Sequence, residues 1–188
     1  LALRDTVLRH EPLRTVYTDD GDGAFQDVLP AEALPELLEV ASVRERDLVA
    51  AMRERVHRPF DIATEAPVRA TLFRLGAREQ VLLLVVHHIA TDEGSEQPLL
   101  RDLDTAYRHR RRGHEPWWTG HGPDYIGHTL GQWERLGSVT DPGSTVARLA
   151  GEWRTALAGV PEETALPTDR TRTVQAGGRG AVAPFPIT

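Results

Sequence analysis

Cysteine and lysine are both missing from this sequence, and methionine occurs once. Without a thiol there is no disulfide, no zinc–thiolate site and no cysteine nucleophile. Without an ammonium side chain there is no Schiff-base catalysis, no pyridoxal-phosphate anchor and no P-loop lysine. All 22 basic residues are therefore arginine, so ion pairing falls to guanidinium forks. Basic charge is also in deficit, 22 against 28 acidic residues for a net charge of -6, which argues against a nucleic-acid surface. The one basic run, Arg108 to Arg112, reads as the solvated end of a helix. Long apolar runs are lacking too. The longest, Val81 to Val86, is far short of the roughly 20 residues of a membrane span, and the N-terminus carries no signal-peptide pattern. A reducing, cytoplasmic location is the expectation.

What remains is ordinary globular material: 188 residues, 40% hydrophobic and 27% charged. A chain of this length buries roughly 70% of the surface its unfolded form exposes, enough for one lobe without a metal or a staple. Leu1, Leu3, Val7 and Leu8 recur at helical spacing up to Pro12, so the chain starts inside a helix. With no initiating Met and no cap before Leu1, residues are expected to precede it. Leu13 to Thr18 and Phe25 to Leu29 flank Asp19 to Gly23 as a hairpin. Ser42 and Glu45 match a capping box for a helix carrying Leu48, Met52 and Val56, which ends at Pro59. Strands are expected at Pro67 to Leu75 and at Val81 to His88. The second is apolar on both faces and belongs in the middle of a covered sheet. Pro98 falls in the first turn of a helix that Gly113 stops, and two more helical patterns lie about Tyr125 to Leu136 and Ser144 to Leu157. Residues 161–188, rich in Pro and Gly and without helical period, read as a crossover or linker.

Chemistry concentrates in His87-His88-Ile89-Ala90-Thr91-Asp92-Glu93-Gly94-Ser95. Successive strand side chains point to opposite faces, so His87 and His88 cannot address one site, which argues against a two-histidine metal centre. One imidazole is packed and the other looks into a cavity at the strand end, a favoured place for a site in an α/β fold. Asp92 either orients an imidazole or pairs with an arginine to hold the loop. Gly94 permits a tight turn, and Ser95 is an N-cap for the next helix rather than a nucleophile, since no G-x-S-x-G elbow surrounds it. Satisfied core histidines beside an ordinary Asp are the competing reading of the same residues.

The stretch His87 to Ser95 resembles the HHxxxDG motif of the condensation domains of nonribosomal peptide synthetases, in an HHxxxDE variant. Arg9-His10-Glu11-Pro12-Leu13-Arg14-Thr15 is similar to the family's RHExLRT segment, and Arg58-Pro59-Phe60-Asp61 to its PFD turn. Asp124-Tyr125 with Gln132-Trp133 resembles the DYxxWQ region at a different spacing, and Leu166-Pro167-Thr168-Asp169-Arg170 the LPTDR stretch. These segments follow the family's order across nearly the whole chain.

The resemblance implies an α/β fold: a chloramphenicol acetyltransferase-like lobe, its mixed sheet flanked by helices. Residues 1–160 correspond to the N-terminal lobe of a two-lobed domain and 161–188 to the crossover toward a C-terminal lobe. The implied activity is peptide-bond formation between aminoacyl or peptidyl thioesters on donor and acceptor carrier proteins within a larger synthetase. The isolated lobe is expected to be inactive. No cofactor binds the lobe directly; phosphopantetheine arrives on the carriers. His88 is the implied catalytic or positioning imidazole, His87 its packed partner, and Asp92 with Arg14 a scaffolding ion pair. Glu93 and Gly94 depart from the Gly and Trp of many members and bear on the acceptor side of the loop, with Ser95 beside them. Two alternatives stand within the superfamily: an epimerisation domain, and a non-catalytic recruitment domain of the same fold.

Overall fold

The computed structural model describes residues 1–21, 23–120, 124–162 and 167. The chain gathers into two compact units, Leu1–Glu134 and Arg135–Thr188.

In the first unit, α1 (Ala2–Arg9) opens the chain and a short 3₁₀ turn (Glu11–Arg14) leads into β1 (Thr15–Asp19), which pairs antiparallel with β2 (Ala24–Val28). The hairpin forms because its connection can take left-handed backbone: Gly21 sits at φ +94° and donates its N–H to Asp19 Oδ1 at 2.8 Å. A second sheet holds β3 (Leu38–Ser42), β4 (Val68–Arg74) and β5 (Gln80–Val86), in that spatial order. β3 runs parallel to β4 and β4 antiparallel to β5, so the sheet is mixed. Between β3 and β4 lies α2 (Leu48–His57), preceded by a 3₁₀ turn. After β5 a 3₁₀ turn (Glu93–Ser95) runs directly into α3 (Glu96–Arg111), which packs against α1. The result is a mixed sheet flanked by helices, the fold class read from the sequence.

The core joins these layers. Val7 of α1, Leu13, Leu34, Leu37, Ala66 and Val68 form a buried cluster, with Leu3, Leu29, Val86 and Leu99 packed around it. Phe73 on β4 is also buried. A fork ties α1 to α3: Arg110 donates from Nε and Nη2 to the two carboxylate oxygens of Asp5, both at 2.6 Å.

Three local expectations are corrected. Among the described residues Val81 to His88 is not a central strand: β5 ends at Val86 and pairs there with β4 alone, and Leu82 is 45% exposed. The strand buried on both faces is β4, with Val68 and Ala70 on one side and Thr71 and Phe73 on the other nearly inaccessible. Ser42 does not cap α2 either; it closes β3, a strand that patterning left unread, and Asp47 stands at the helix start. Ser95 occupies the N-cap position of α3, but its hydroxyl is turned back to Asp92 instead of onto the helix.

In the second unit, α5 (Thr145–Ala156) is capped by Ser144, whose Oγ accepts the Ala147 N–H at 3.1 Å. The intervening α4 (Tyr125–Leu136) spans the boundary between the units. Of the segment 161–188, only Pro161, Glu162 and Pro167 are described, outside any helix or strand; the rest of the linker reading, with most of the LPTDR stretch, lies outside the described residues. Among the described residues no helix is long and apolar enough to cross a membrane.

Candidate active site

Both motif histidines sit just beyond β5. The His87 N–H donates to the Pro67 carbonyl at 2.9 Å, extending the β4–β5 ladder by one bond, and the chain then turns over His88 and Ile89. The two rings go to different surroundings. His87 Nδ1 accepts the Ile89 N–H at 3.1 Å, which leaves the proton of the neutral ring on Nε2. Its ring stands edge-on to Phe60, centroids 5.9 Å apart. Phe60 is itself clamped, with the Arg69 guanidinium 3.9 Å above its ring. Arg69 in turn donates to the Arg58 and Pro59 carbonyls at 2.9 and 2.7 Å and to Glu65. The Arg-Pro-Phe-Asp turn thus braces His87.

His88 is exposed and lines a cleft of about 530 Å³. Its Nδ1 lies 2.5 Å from the Thr91 carbonyl oxygen. A carbonyl can only accept, so Nδ1 carries hydrogen, and in the neutral ring Nε2 is left with a free lone pair. The turn connecting the histidines to α3 therefore selects the tautomer.

Asp92 closes that turn. Its Oδ1 accepts the Ser95 N–H at 2.9 Å and the Ser95 hydroxyl at 2.5 Å, while Ser95 Oγ accepts the Asp92 N–H at 3.2 Å. This reciprocal cap satisfies backbone donors that a helix start leaves open. The bonds from Ser95 hold the Asp92 carboxyl below its ordinary value. Glu93 is exposed at the head of the 3₁₀ turn. Gly94 lines the cleft with an ordinary negative φ, and a Cβ there would meet only Asp92 Oδ1, at 3.5 Å. Neither backbone conformation nor packing demands a glycine at 94.

The expected Arg14–Asp92 ion pair is not formed. Arg14 Nη1 donates to the Leu29 carbonyl at 2.8 Å across the hairpin, and Nη2 lies 3.8 Å from Glu11 Oε1. Asp92 spends its charge on Ser95, three residues away. A local donor orders less chain than a distant guanidinium, so the cap prevails.

The cleft also contains residues that the sequence reading did not place in the site. His10 lines it as the motif turn does, together with Pro12, Leu13, Leu99 and Tyr125. His10 Nε2 is 2.9 Å from Asp102 Oδ2, and Arg9 Nε donates to the same oxygen at 2.8 Å. Arg9 also lies 4.7 Å from the ring centroid of Trp118. Burial alone would raise the Asp102 pKa, but hydrogen bonds from Arg9 and His10, with their charges, outweigh it and hold the carboxyl low. A signal was available: Asp102 falls three residues after Leu99 and four before Ala106, on the buried stripe of α3. A carboxylate on an apolar stripe needs a partner. Among the described residues no group of three or more His, Asp or Glu side chains could hold a metal ion.

Comparison with known proteins settles the family. The family model described as Condensation domain matches residues 1–180. The chain belongs to the condensation-domain family. It is 43% identical over 181 residues to CymA of Salinispora arenicola, described as a "Probable non-canonical nonribosomal peptide synthetase", and 40% identical over 187 residues to a dimodular nonribosomal peptide synthase of Bacillus subtilis. Those alignments cover 96% and 99% of this chain but 2% and 8% of the relatives, so the chain spans a small part of the synthetases it matches. Among solved structures, the X-domain from teicoplanin biosynthesis, in complex with OxyB, matches 92% of this chain and 37% of its own, with TM-score 0.84 and 35% identity. The epimerization domain from the third module of tyrocidine synthetase B matches 91% of this chain and 38% of its own, with TM-score 0.71; at 20% identity it shares the fold alone.

Proposed function

We propose that this chain is the N-terminal lobe of a domain that forms a peptide bond between two carrier-bound thioesters, residues 161–188 leading toward a second lobe. The observation that carries the proposal is the contact of His88 Nδ1 with the Thr91 carbonyl, which selects the tautomer. Its Nδ1–H is spent on Thr91, so Nε2 offers a lone pair to the cleft. In the reaction the acceptor's α-amine attacks the donor thioester carbonyl; the C–N bond forms, the C–S bond breaks, and the donor's phosphopantetheine leaves as a thiol. The amine must lose one proton on the way, and the lone pair on His88 Nε2 accepts it or holds the N–H in line.

Positioning carries most of the barrier reduction. Orienting two tethered reactants supplies roughly 7 to 11 kcal/mol, whereas general-base help supplies about 100- to 10,000-fold. The phosphopantetheine arms belong to the carrier proteins, so the lobe needs to grip them without a resident cofactor. Gly94 and Ser95 line the cleft on what we take as its acceptor side, with Glu93 between Asp92 and Gly94 on the same turn, and Asp92 with Ser95 holds the turn that presents His88.

A second reading is favoured by the likeness to the X-domain, whose structure is a complex with OxyB: a docking role for a partner enzyme, with no bond formation. One experiment separates them. The complete synthetase is supplied with two loaded carriers, and products are read by mass spectrometry. Dipeptide from the native protein, reduced about 100- to 10,000-fold in His88→Ala with unchanged melting temperature, supports condensation. Normal dipeptide yield from His88→Ala removes His88 from the mechanism. A racemised aminoacyl thioester without dipeptide points to epimerisation, and no turnover of either kind to docking.

A further inference from the structure

We infer that His10 is a second hydrogen-bonding imidazole of the cleft, presenting its Nδ1 lone pair to the same acceptor amine that His88 engages. The inference rests on the condensation reading and adds a residue to it.

The two histidines are built alike. Each has one ring nitrogen tied to a group that only accepts, His88 Nδ1 to the Thr91 carbonyl and His10 Nε2 to the Asp102 carboxylate. In the neutral ring each therefore keeps its other nitrogen as an acceptor. Among the described residues His10 Nδ1 has no hydrogen-bond partner, and it is not one of the buried unsatisfied side-chain atoms, which are Arg14 Nε and Thr18 Oγ1. It is open, and the cavity that His10 lines is the cleft of His88.

An attacking amine must aim its lone pair at the carbonyl carbon, and it has N–H bonds left to be held. Two imidazole acceptors reached from α1 and from the motif turn can fix its rotation where one cannot. The His10 ring is fixed in turn: Asp102 is buried on α3, and Arg9 compensates its charge, so the carboxylate is not free to swing away. That arrangement is more than a strut requires, since Arg9 alone already joins α1 to Asp102.

Two isosteres separate the roles. Glutamine at 10 can place an amide nitrogen where Nε2 was, keeping the Asp102 bond and losing the acceptor. Asparagine places an amide atom where Nδ1 was and releases Asp102. In the complete synthetase with two loaded carriers, single-turnover dipeptide formation at saturating acceptor should be about tenfold slower in His10→Gln than in His10→Asn, the scale of one hydrogen bond, although His10→Gln melts higher. A rate order that follows melting temperature, or His10→Gln at the native rate, overturns the inference. Should His10→Gln fail to fold, His10→Asn against His10→Ala decides, since both lack the Asp102 bond; equal rates overturn it. Native protein that makes no dipeptide refutes the condensation reading itself, whereas native dipeptide with unimpaired His10→Gln removes His10 alone.

Discussion

Replacing Asp102 by alanine tests how the wall of the cleft is held. The carboxylate is 9% exposed and takes Arg9 Nε at 2.8 Å and His10 Nε2 at 2.9 Å on one oxygen; the Arg9 and His10 side chains are 13% and 16% exposed. Removing one member of a buried pair typically costs about 3 to 5 kcal/mol, because the other charge stays buried alone. Arg9 keeps a weak bond to the Gly120 carbonyl at 3.3 Å and the face of Trp118, which offset part of the loss. The expected cost is therefore near the lower end, about 3 kcal/mol, or a fall of roughly 6 to 12 °C in melting temperature for a chain of this size. Asp92→Ala provides the internal control. Its carboxylate is exposed and serves only as a local cap, so a clearly smaller fall in melting temperature is expected. Thermal unfolding followed by near-ultraviolet circular dichroism reads both, and Arg9→Ala with Asp102→Ala completes a double-mutant cycle. In a true pair the double variant loses clearly less than the sum of the singles. Strict additivity, or an Asp102→Ala shift no larger than that of Asp92→Ala, would refute the reasoning.

The same carboxylate sets an acid limit. Burial pushes its pKa up, but the bonds from Arg9 and His10 more than offset this and hold it below 3.8 in the folded chain. Its contribution is complete above the unfolded value and disappears as pH falls through the folded one, so the stability gap between native protein and Asp102→Asn should narrow below about pH 4. A gap that stays constant down to pH 2 would contradict the pairing. Two glycines should behave oppositely in chemical denaturation. Gly94→Ala meets only Asp92 Oδ1 at 3.5 Å and should be neutral or stabilising by up to about 1 kcal/mol. Gly137→Ala, at φ +72° with its Cβ 2.8 Å from Ser144 Cβ, should cost more than about 1 kcal/mol; equal effects would show that neither backbone nor contact decides.

How much of the site could be read in advance follows from the range of the forces involved. The hairpin at Asp19 to Gly23, the start of α5 at Ser144 and the stop of α3 at Gly113 were legible because turn and cap chemistry acts within a few residues. The histidine pair was legible as a motif, and the bond that chooses the His88 tautomer spans only three residues. The partner of Asp92 was misread for a related reason: a remote arginine was favoured, whereas the nearest donor, Ser95, lay within the same turn. β3 escaped notice because Leu38 to Ser42 is five residues long, and its parallel pairing with β4 is specified by β4 as much as by itself.

The family, the order of helices and strands apart from β3, and the chemistry available are all legible in the residue order: imidazole, carboxylate and guanidinium, with no thiol and no ammonium. Which of these groups meet depends on the packing of the folded chain. Asp102 finds Arg9 across 93 residues and His10 across 92, and among the described residues β5 lies at a sheet edge although its composition suits a centre. Periodicity states which face of an element is apolar but not which other face will cover it. The cleft that His10 and His88 both line exists only once α1 has packed on α3.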